Sequence, residues 1–292
     1  MTCFGQLPCA LVCMVLDALS TACLHEFITV SKSVSRAVVG LLQERVVHVH
    51  PEDDLVAVVA DLVSLTTILV HGVHQLNERL RVHTKIKLIG ASSDAAIRGG
   101  FQCAVVDVNF NAELVVSNLS IVWAAAFSND FLDRSLVLVS GKLVMNEVHA
   151  TWAVTSDAEA GGPRYGIRAV NGSTVKLQRC FIRTFAGPAV KNERAEVHLH
   201  GCDVGCSRRG LVVLKGGRTV ISECELHDAT DAVSLWASAN VSVSSCRVRN
   251  CTNGIAIMTS QGERVFSDNT YAGVSNVFLE NALRIRSEVT LF

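Results

Sequence analysis

Four cysteines at one constant interval are the first residues in this sequence that could do chemistry. They are Cys180, Cys202, Cys224 and Cys246. The segments around them repeat as V-K-L-Q-R-C-F-I, V-H-L-H-G-C-D-V, T-V-I-S-E-C-E-L and V-S-V-S-S-C-R-V. Stacked thiols can bind a metal or form disulfides. Because apolar residues alternate on both sides, the pattern instead predicts a core ladder in which each thiol is a small buried filler.

Zinc is the sharper alternative, because further ligand types lie beside the ladder. They are Cys206, Cys251, His198 and His200. The two histidines alternate with Val197 and Leu199, so their imidazoles would point outward while Cys202 points inward. Four ligands would then not converge on a tetrahedral site. We predict no metal site and no cofactor.

Two carboxylates form the next candidate for chemistry. Asp203 and Glu225 each follow a ladder cysteine directly and would be neighbours in one column. General acid–base cleavage of a glycosidic bond needs such a pair. Phe181 and Arg247 occupy the rest of that column and add no acid. A carbohydrate-active enzyme therefore remains an alternative, and we assign no catalytic residue.

The remaining polar and aromatic residues give weaker signals. Asp228 and Asp231 lie in the turn-like segment H-D-A-T-D-A, where Asp commonly makes local backbone hydrogen bonds. Sugar clefts usually carry aromatic platforms, but Trp123, Trp152 and Trp236 are isolated in the sequence. These observations favour a binding protein over an enzyme.

The elements that would position these residues follow from the repeat itself. Self-similarity at a fixed period is typical of a solenoid. Each repeat holds two or three period-2 strands and leaves no room for a long helix. We therefore predict a mainly β, single-stranded parallel β-helix with coils of about 22 residues, right-handed by the crossover rule. The regular coils span 174–262; Leu119 and Val148 take the cysteine place in earlier coils, and Asp268 takes it after Cys246.

The outward columns of the regular coils are the surface that a partner would meet. Positions shortly after the cysteines carry charges of both signs, which makes this the candidate partner-binding face: Arg183, His227, Arg249, Asp203, Glu225 and Arg247. The net charge of the chain is −1, so we expect no broad attraction to nucleic acid or to an anionic membrane.

The β-helix is predicted to occupy 46–292, and 46–65 begins it with a capping strand and helix. Val46 to His50 alternates as a strand, and Pro51-Glu52-Asp53-Asp54 is an acidic helix start. The order of acidic helix, T-I-L-V strand and I-K-L-I-G segment is similar to the opening of many pectin-lyase-like β-helices.

Residues 1–45 do not repeat and have a helical pattern. Leu7, Leu11, Val15 and Leu19 recur at i+4 as one face of a helix that Pro8 opens, and two further short helices follow. The apolar stretch differs from a signal peptide because no Lys or Arg precedes it and because it contains Asp17. We also find no uncharged run long enough for a transmembrane helix.

The pattern L-P-x-x-L-V-x-x-V-L-D-A-L-S-x-x-x-L-x-x-F-x-x-V-S-K-S-V-S-R-A-V resembles an F-box. The chain departs from that family at Cys23, where an acidic residue is frequent, and at Ser33-Val34, where Trp is frequent. The resemblance implies docking on a Skp-type adaptor, and through it on a cullin complex, by these residues: Leu7, Pro8, Leu11, Leu16, Leu19 and Leu24. The alternative is a helical cap that only closes the end of the β-helix.

The two parts together resemble F-box proteins with a β-helix domain, and the ladder coils also look like the Shc SH2-binding protein family. This resemblance implies a non-enzymatic scaffold that recognises substrates for an SCF-type ubiquitin ligase. A carbohydrate-active enzyme and a purely structural β-helix stay open as alternatives. Eleven cysteines that form no secreted disulfide framework favour a reducing, intracellular location, cytoplasmic or nuclear.

Overall fold

The computed structural model describes residues 45–62, 65–99, 104–124, 134–153, 165–185, 187–237, 240–258 and 261–280. The F-box-like segment, with Leu7, Pro8, Leu11, Leu16, Leu19 and Leu24, lies outside these residues, apart from Arg45 at its boundary. The described residues form one short helix, α1 (Leu55–Ala60), and 25 strands.

The first strands are short: β1 Arg45–Val49, β2 Thr66–Val70, β3 Val73–Gln75, β4 Leu80–Val82, β5 Lys85–Gly90, β6 Ala96–Gly99, β7 Ala104–Val108, β8 Glu113–Ser117 and β9 Ser120–Trp123. The middle of the chain forms β10 Ser135–Val139, β11 Lys142–Asn146, β12 His149–Trp152, β13 Tyr165–Val170, β14 Thr174–Gln178, β15 Phe181–Phe185, β16 Val190–Glu193 and β17 Glu196–His200. The last strands are β18 Asp203–Lys215, β19 Arg218–Ser222, β20 Glu225–Ala237, β21 Asn240–Ser244, β22 Arg247–Ile257, β23 Arg264–Ser267, β24 Thr270–Ala272 and β25 Asn276–Glu280.

The strands stack into three parallel faces, so the predicted parallel β-helix is confirmed. Face I runs in the order β1-β2-β5-β8-β11-β14-β17-β19-β21-β23. Face II follows the cysteine place and contains β3, β6, β9, β12 and β15, and face III contains β4, β7, β10, β13 and β16. The long strands β18, β20 and β22 bend from face II into face III, so that the two faces join at these coils.

Register sets the columns that fill the core. On face I, Val197 pairs with Val175 and with Thr219, and Thr219 pairs with Val241. These steps equal the interval between the ladder cysteines, whereas the step from Leu143 to Val175 in the earlier coils is longer. Because every second residue points inward, the inner columns are fully buried and form one continuous apolar core.

The corner between face I and face II has a left-handed backbone in seven successive coils, beginning after β8. The residue before the cysteine place has φ between 51° and 59° at Asn118, Glu147, Arg179, Gly201, Glu223, Ser245 and Asp268. Only Gly201 is a glycine, although this conformation costs other residues about 1–2 kcal/mol. The corner is retained because its N–H groups continue the inter-coil hydrogen bonds, for example from Arg179 to the His200 carbonyl at 2.9 Å.

The predicted strand and helix at the start of the β-helix are confirmed as β1 and α1. The Asp54 side chain caps α1 by accepting hydrogen bonds from the N–H groups of Val56 and Ala57 at 3.0 and 3.2 Å. Leu55 and Val59 lie one helical turn apart and are both buried in the core. The helix therefore covers the interior of the first coil.

The last coil corrects one sequence prediction. The step from Val241 to its partner Arg264 is one position longer than the regular interval, so the residue after Cys246 in the ladder is Asn269 and not Asp268. Asp268 instead takes the left-handed corner position, with φ 55°. The Asn269 side chain accepts a hydrogen bond from the Cys246 N–H at 2.9 Å and donates one to the Val243 carbonyl at 2.9 Å. An amide thus continues the ladder where the thiols stop.

Candidate functional site

The cysteine ladder lies inside the β-helix, as predicted. Cys180, Cys202, Cys224 and Cys246 are at most 2% exposed, and their thiols are free. The thiols of Cys180, Cys224 and Cys246 each donate to the carbonyl two positions earlier, at 3.2–3.3 Å. Contact with Cys202 together with burial raises the pKa of the Cys180 and Cys224 thiols. Hydrogen bonding from Cys180 and Cys224 in turn lowers the pKa of the Cys202 thiol between them. All four thiols are nevertheless shut off from solvent, and this burial suits packing and works against nucleophilic chemistry.

The histidines beside the ladder do not converge with its thiols. His198 and His200 are directed outward, where they contact Glu196 at 3.0 Å and Ser222 at 3.0 Å. Burial raises the pKa of the Cys251 thiol. The side chain of Cys206 lies outside those that the structure describes. Within the described ranges, no group of three or more His, Cys, Asp or Glu side chains is arranged to hold a metal ion.

Face II of the regular coils carries the charged residues that the sequence singled out. Asp203 lies between Arg183 and His227, which belong to the two neighbouring coils. Arg183 donates to it from Nε at 3.1 Å and from a second guanidinium nitrogen, and His227 approaches its Oδ1 with Nε2 at 2.9 Å. Although burial opposes it, hydrogen bonding by Arg183 and His227 lowers the pKa of Asp203. The Asp203 carboxylate is therefore ionised and held.

His227 differs from its predicted place on the outward surface, because it is only 2% exposed. Its Nδ1 lies 2.6 Å from Asp228 Oδ2, so each ring nitrogen faces a carboxylate. Gly205 lies opposite in the register, and a Cβ there would overlap the His227 ring. The missing side chain at Gly205 is what leaves space for the imidazole.

Asp228 extends the same network to the next coil. Hydrogen bonds from His227 and Asn250 lower the pKa of Asp228, and the Asn250 contact is 3.0 Å long. Asp228 has a φ of 55°, which agrees with its turn-like sequence. Asp231 accepts from Ser234 at 2.7 Å and from Asn253 at 2.7 Å. Both acids therefore serve local hydrogen bonding, although their partners are side chains rather than the backbone groups that the turn pattern predicts.

Asp203 and Glu225 are register neighbours, as the column predicts. Their carboxylates do not pair with each other, because each is bound by a cation on a diagonal neighbour. Arg249 Nε lies 2.5 Å from Glu225 Oε1, and Arg183 binds Asp203 from a neighbouring coil in a similar way. Arg247 is exposed at the end of the column. This arrangement does not supply the facing carboxylates of a glycosidase.

Face II also exposes an aromatic group beside these charges. Phe181 is 40% exposed, and its ring stacks on His149 with centroids 4.6 Å apart. The Arg183 guanidinium lies over the same ring, 5.9 Å from its centroid. Face II thus offers an apolar ring next to a paired arginine.

A second charged cluster lies on face III, and the repeat pattern of the sequence does not predict it. Lys191 is almost fully buried and lies 3.0 Å from the Tyr165 hydroxyl and 2.5 Å from Glu193 Oε1. Arg168 binds Glu193 Oε2 at 2.9 Å. Despite burial, hydrogen bonds from Lys191 and Arg168 lower the pKa of Glu193. The register of the less regular coils places Arg168 beside Lys191, and that register cannot be read from the period of the cysteine ladder.

Next to this cluster is an open groove of about 720 Å³, where face III turns into face I. It is lined by Asn171, Glu193, Arg194, Lys215, Gly216, Gly217 and Trp236. The three tryptophans, isolated in the sequence, have different surroundings. Trp123 and Trp152 are register neighbours packed in or against the core, whereas Trp236 is 55% exposed in the groove.

Comparison with known proteins agrees with the fold. A family model described as a right-handed β-helix region matches residues 144–284. The parallel sheets and this match support the same fold, a right-handed parallel β-helix. No curated protein matches the sequence.

One similar solved structure is ORF18 of Geobacillus virus E2, with 10% identity and a TM-score of 0.42. The alignment covers 87% of this chain and 64% of the viral chain, so it spans less than two thirds of that protein. In the described part of the chain, no helix has the length and apolar character needed to cross a bilayer.

Proposed function

We propose that this protein is a non-enzymatic, protein-binding β-helix that acts as the substrate-recognition subunit of an SCF-type cullin ubiquitin ligase. In this proposal the F-box-like residues dock on a Skp-type adaptor: Leu7, Pro8, Leu11, Leu16, Leu19 and Leu24. The β-helix holds the protein substrate, and partner subunits transfer ubiquitin. The buried free thiols support an intracellular location, cytoplasmic or nuclear.

One observation favours a binding role over catalysis: the carboxylates on face II are held in ion pairs. A general acid at neutral pH needs a raised carboxyl pKa. The pKa of Asp203 is lowered instead, because Arg183 and His227 stabilise its ionised form despite burial. Glu225 is bound by Arg249 at 2.5 Å. Paired charges of this kind favour orientation and specificity at a protein surface.

The partner-binding face of the proposal is face II in the regular coils. Arg183 and Arg249 are partly exposed while they remain bound to carboxylates. Phe181 supplies an exposed ring, and Arg247 supplies a further exposed cation. An aromatic residue flanked by arginines has the composition that is enriched at binding hot spots.

The adaptor claim is tested by co-expressing the full chain with a Skp-type adaptor and measuring co-purification. We expect the wild-type chain to retain the adaptor and a Leu7→Asp/Leu11→Asp variant to lose it. Val46→Asp is a matched control, because Val46 is an exposed apolar residue of β1 outside the F-box-like pattern. Retention by the double variant, or failure of the wild-type chain to bind, would overturn the adaptor claim.

The non-enzymatic claim has its own experiment. The full chain is incubated with pectin-like polymers, and release of reducing or unsaturated ends is measured. We expect no turnover. Turnover that disappears in Asp203→Asn or Glu225→Gln would replace the proposal with a carbohydrate-active enzyme.

A further inference from the structure

The groove beside Trp236 has no role in the adaptor contact or in face II. Its residues come from four successive coils: Asn171 after β13, Glu193 at the end of β16, Lys215 at the end of β18 and Trp236 near the end of β20. Coils stack about 4.8 Å apart, so three steps give a groove roughly 14 Å long. This length accommodates about four residues of extended peptide.

Trp236 reaches the groove through an irregularity in the strand register. Leu214 pairs with Leu235 and Lys215 pairs with Ala237, so Trp236 is an extra residue between two paired positions. Bulges of this kind redirect a side chain out of the regular pleat. The result is an indole that is 55% exposed on a face whose neighbouring Leu214 and Leu235 are buried. A large exposed aromatic side chain in a groove is typical of a binding anchor.

The charge of the groove is positive. Arg194 and Lys215 are exposed and form no ion pair within the part of the chain that the structure describes. Glu193 does not neutralise them, because Lys191 at 2.5 Å and Arg168 at 2.9 Å already bind its two oxygens. Lys191 is fixed in turn by the Tyr165 hydroxyl at 3.0 Å. The cluster beneath the groove therefore leaves two cations available to a ligand.

We infer that this groove binds an extended acidic peptide segment of a partner protein. Peptide carboxylates pair with Arg194 and Lys215, an apolar peptide side chain packs on Trp236, and Asn171 can bond a peptide amide. Gly216 lines the groove without a side chain that would block the peptide backbone. The inference deepens the protein-binding part of the proposed function, on which it rests, and is independent of the adaptor.

The test uses the full chain and a fluorescein-labelled hexapeptide of alternating Glu and Leu, with fluorescence anisotropy as the readout. Peptides with Lys or Gln in place of Glu serve as controls. We expect binding of the Glu peptide that weakens with salt, and no binding of the Lys peptide. Trp236→Ala and Lys215→Glu should each weaken binding about tenfold or more.

Two matched variants separate the groove from general surface effects. Phe110→Ala removes another exposed aromatic residue, and Lys176→Glu reverses another exposed lysine, so both should bind as the wild type does. No binding of the Glu peptide at millimolar concentration, or equal binding by the Trp236→Ala variant, overturns the inference. Tighter binding of an acidic oligosaccharide that also depends on Trp236 overturns it in favour of a sugar site.

The outcomes also separate this inference from the adaptor claim. Leu7→Asp/Leu11→Asp should leave peptide binding unchanged, and Trp236→Ala should leave adaptor binding unchanged. Loss of one interaction alone therefore identifies which of the two assignments fails.

Discussion

Cys180, Cys202, Cys224 and Cys246 occupy the inner place that Leu119 and Val148 occupy in the two preceding coils. Residues of three types thus fill one column, and all are buried. What the four cysteines share with the apolar residues is burial, while mutual contact raises the pKa of Cys180 and Cys224 and lowers that of Cys202. At this position the side chain therefore serves to fill the core.

The first prediction concerns this column. Cys180→Val should change the free energy of unfolding by less than about 1.5 kcal/mol, because Val148 already packs at the same place one coil earlier. Urea unfolding measures this change. Metal analysis of the purified chain provides a second measurement: bound zinc that is lost in Cys202→Val would contradict the packing role.

A second prediction concerns the space that Gly205 leaves for His227. Gly205→Ala should destabilise the chain by about 2 kcal/mol, because its Cβ displaces the imidazole and leaves the Asp203 carboxylate without one partner. In a His227→Ala background the same substitution should cost much less. A double-mutant cycle in urea measures the coupling; additive effects would show that the two residues do not share the space.

The Gly205–His227 contact also shows what the sequence could not predict at this scale. The period of the ladder correctly places Asp203 beside Glu225 and Gly205 beside His227. It does not determine which diagonal neighbour a long side chain reaches, because that depends on rotamers and on space. For this reason a column interpreted as an outward surface contains a buried histidine between two carboxylates.

At the scale of elements, the corner between faces I and II repeats a left-handed residue in coil after coil. The backbone geometry at this corner is set by the stacked strands on both sides, since its N–H groups bond to the next coil. Side-chain preference is therefore overridden at Glu223, Arg179 and Glu147. The positions were not predictable from composition, because Gly201 alone carries the usual glycine signal.

The third prediction concerns the left-handed corner residue Glu223. Glu223→Gly should stabilise the chain by up to about 1 kcal/mol, because glycine adopts φ 54° without the penalty of a Cβ. Lys176→Gly is the control, since the same substitution within strand β14 should destabilise by about 0.5–1 kcal/mol. Thermal unfolding distinguishes the two. Equal destabilisation by both variants would show that the corner is not strained.

The fourth prediction concerns the paired acids of faces II and III. Asp203, Asp228 and Glu193 have lowered pKa values in the folded state. Their stabilisation is thus complete above the unfolded carboxyl pKa of about 4 and is lost as pH falls through the lower folded values. Urea midpoints measured between pH 7 and pH 3 should therefore drop below about pH 4.

Two matched variants, His227→Gln and Arg81→Gln, test the cause of this loss of stability at acid pH. His227→Gln removes an imidazole that contacts both Asp203 and Asp228 and lowers the pKa of each. Stability near neutral pH should therefore fall, and the loss of stability at acid pH should become shallower. Arg81 is an exposed arginine of β4, and its replacement should leave the profile unchanged. An identical acid profile in wild type and His227→Gln would contradict the assigned pKa cause.

The boundaries of elements were predictable where regular patterns or local signals set them, and were missed where a single extra residue interrupts the period. The alternation of Val46 to His50 and the acidic helix start at Pro51-Glu52-Asp53-Asp54 correctly predict β1 and α1, because both are local signals. The prediction for Asp268 was wrong because one extra residue enters the coil after Val241. The groove at Trp236 depends on a similar single-residue irregularity.

At the scale of the whole molecule, the β-helix separates a buried apolar core from charged outer faces. The continuous apolar core fixes the coils, while faces II and III present charges whose partners lie one coil away. Stacked repeats of this kind form extended surfaces that can bind a partner, and our proposal assigns that role to these faces. The proposed division of labour is that the platform selects the substrate and the segment before it provides attachment to the ligase.

The fifth prediction is that the chain assembles with a Skp-type adaptor and a cullin, and it tests the central claim most directly. The full chain is mixed with a purified Skp-type adaptor and a cullin, and the mass of the complex is measured by size-exclusion chromatography with light scattering. We predict a complex that contains one copy of each, and no complex with Leu7→Asp/Leu11→Asp. A wild-type chain that elutes apart from the adaptor, or a double variant that still assembles, would contradict the account.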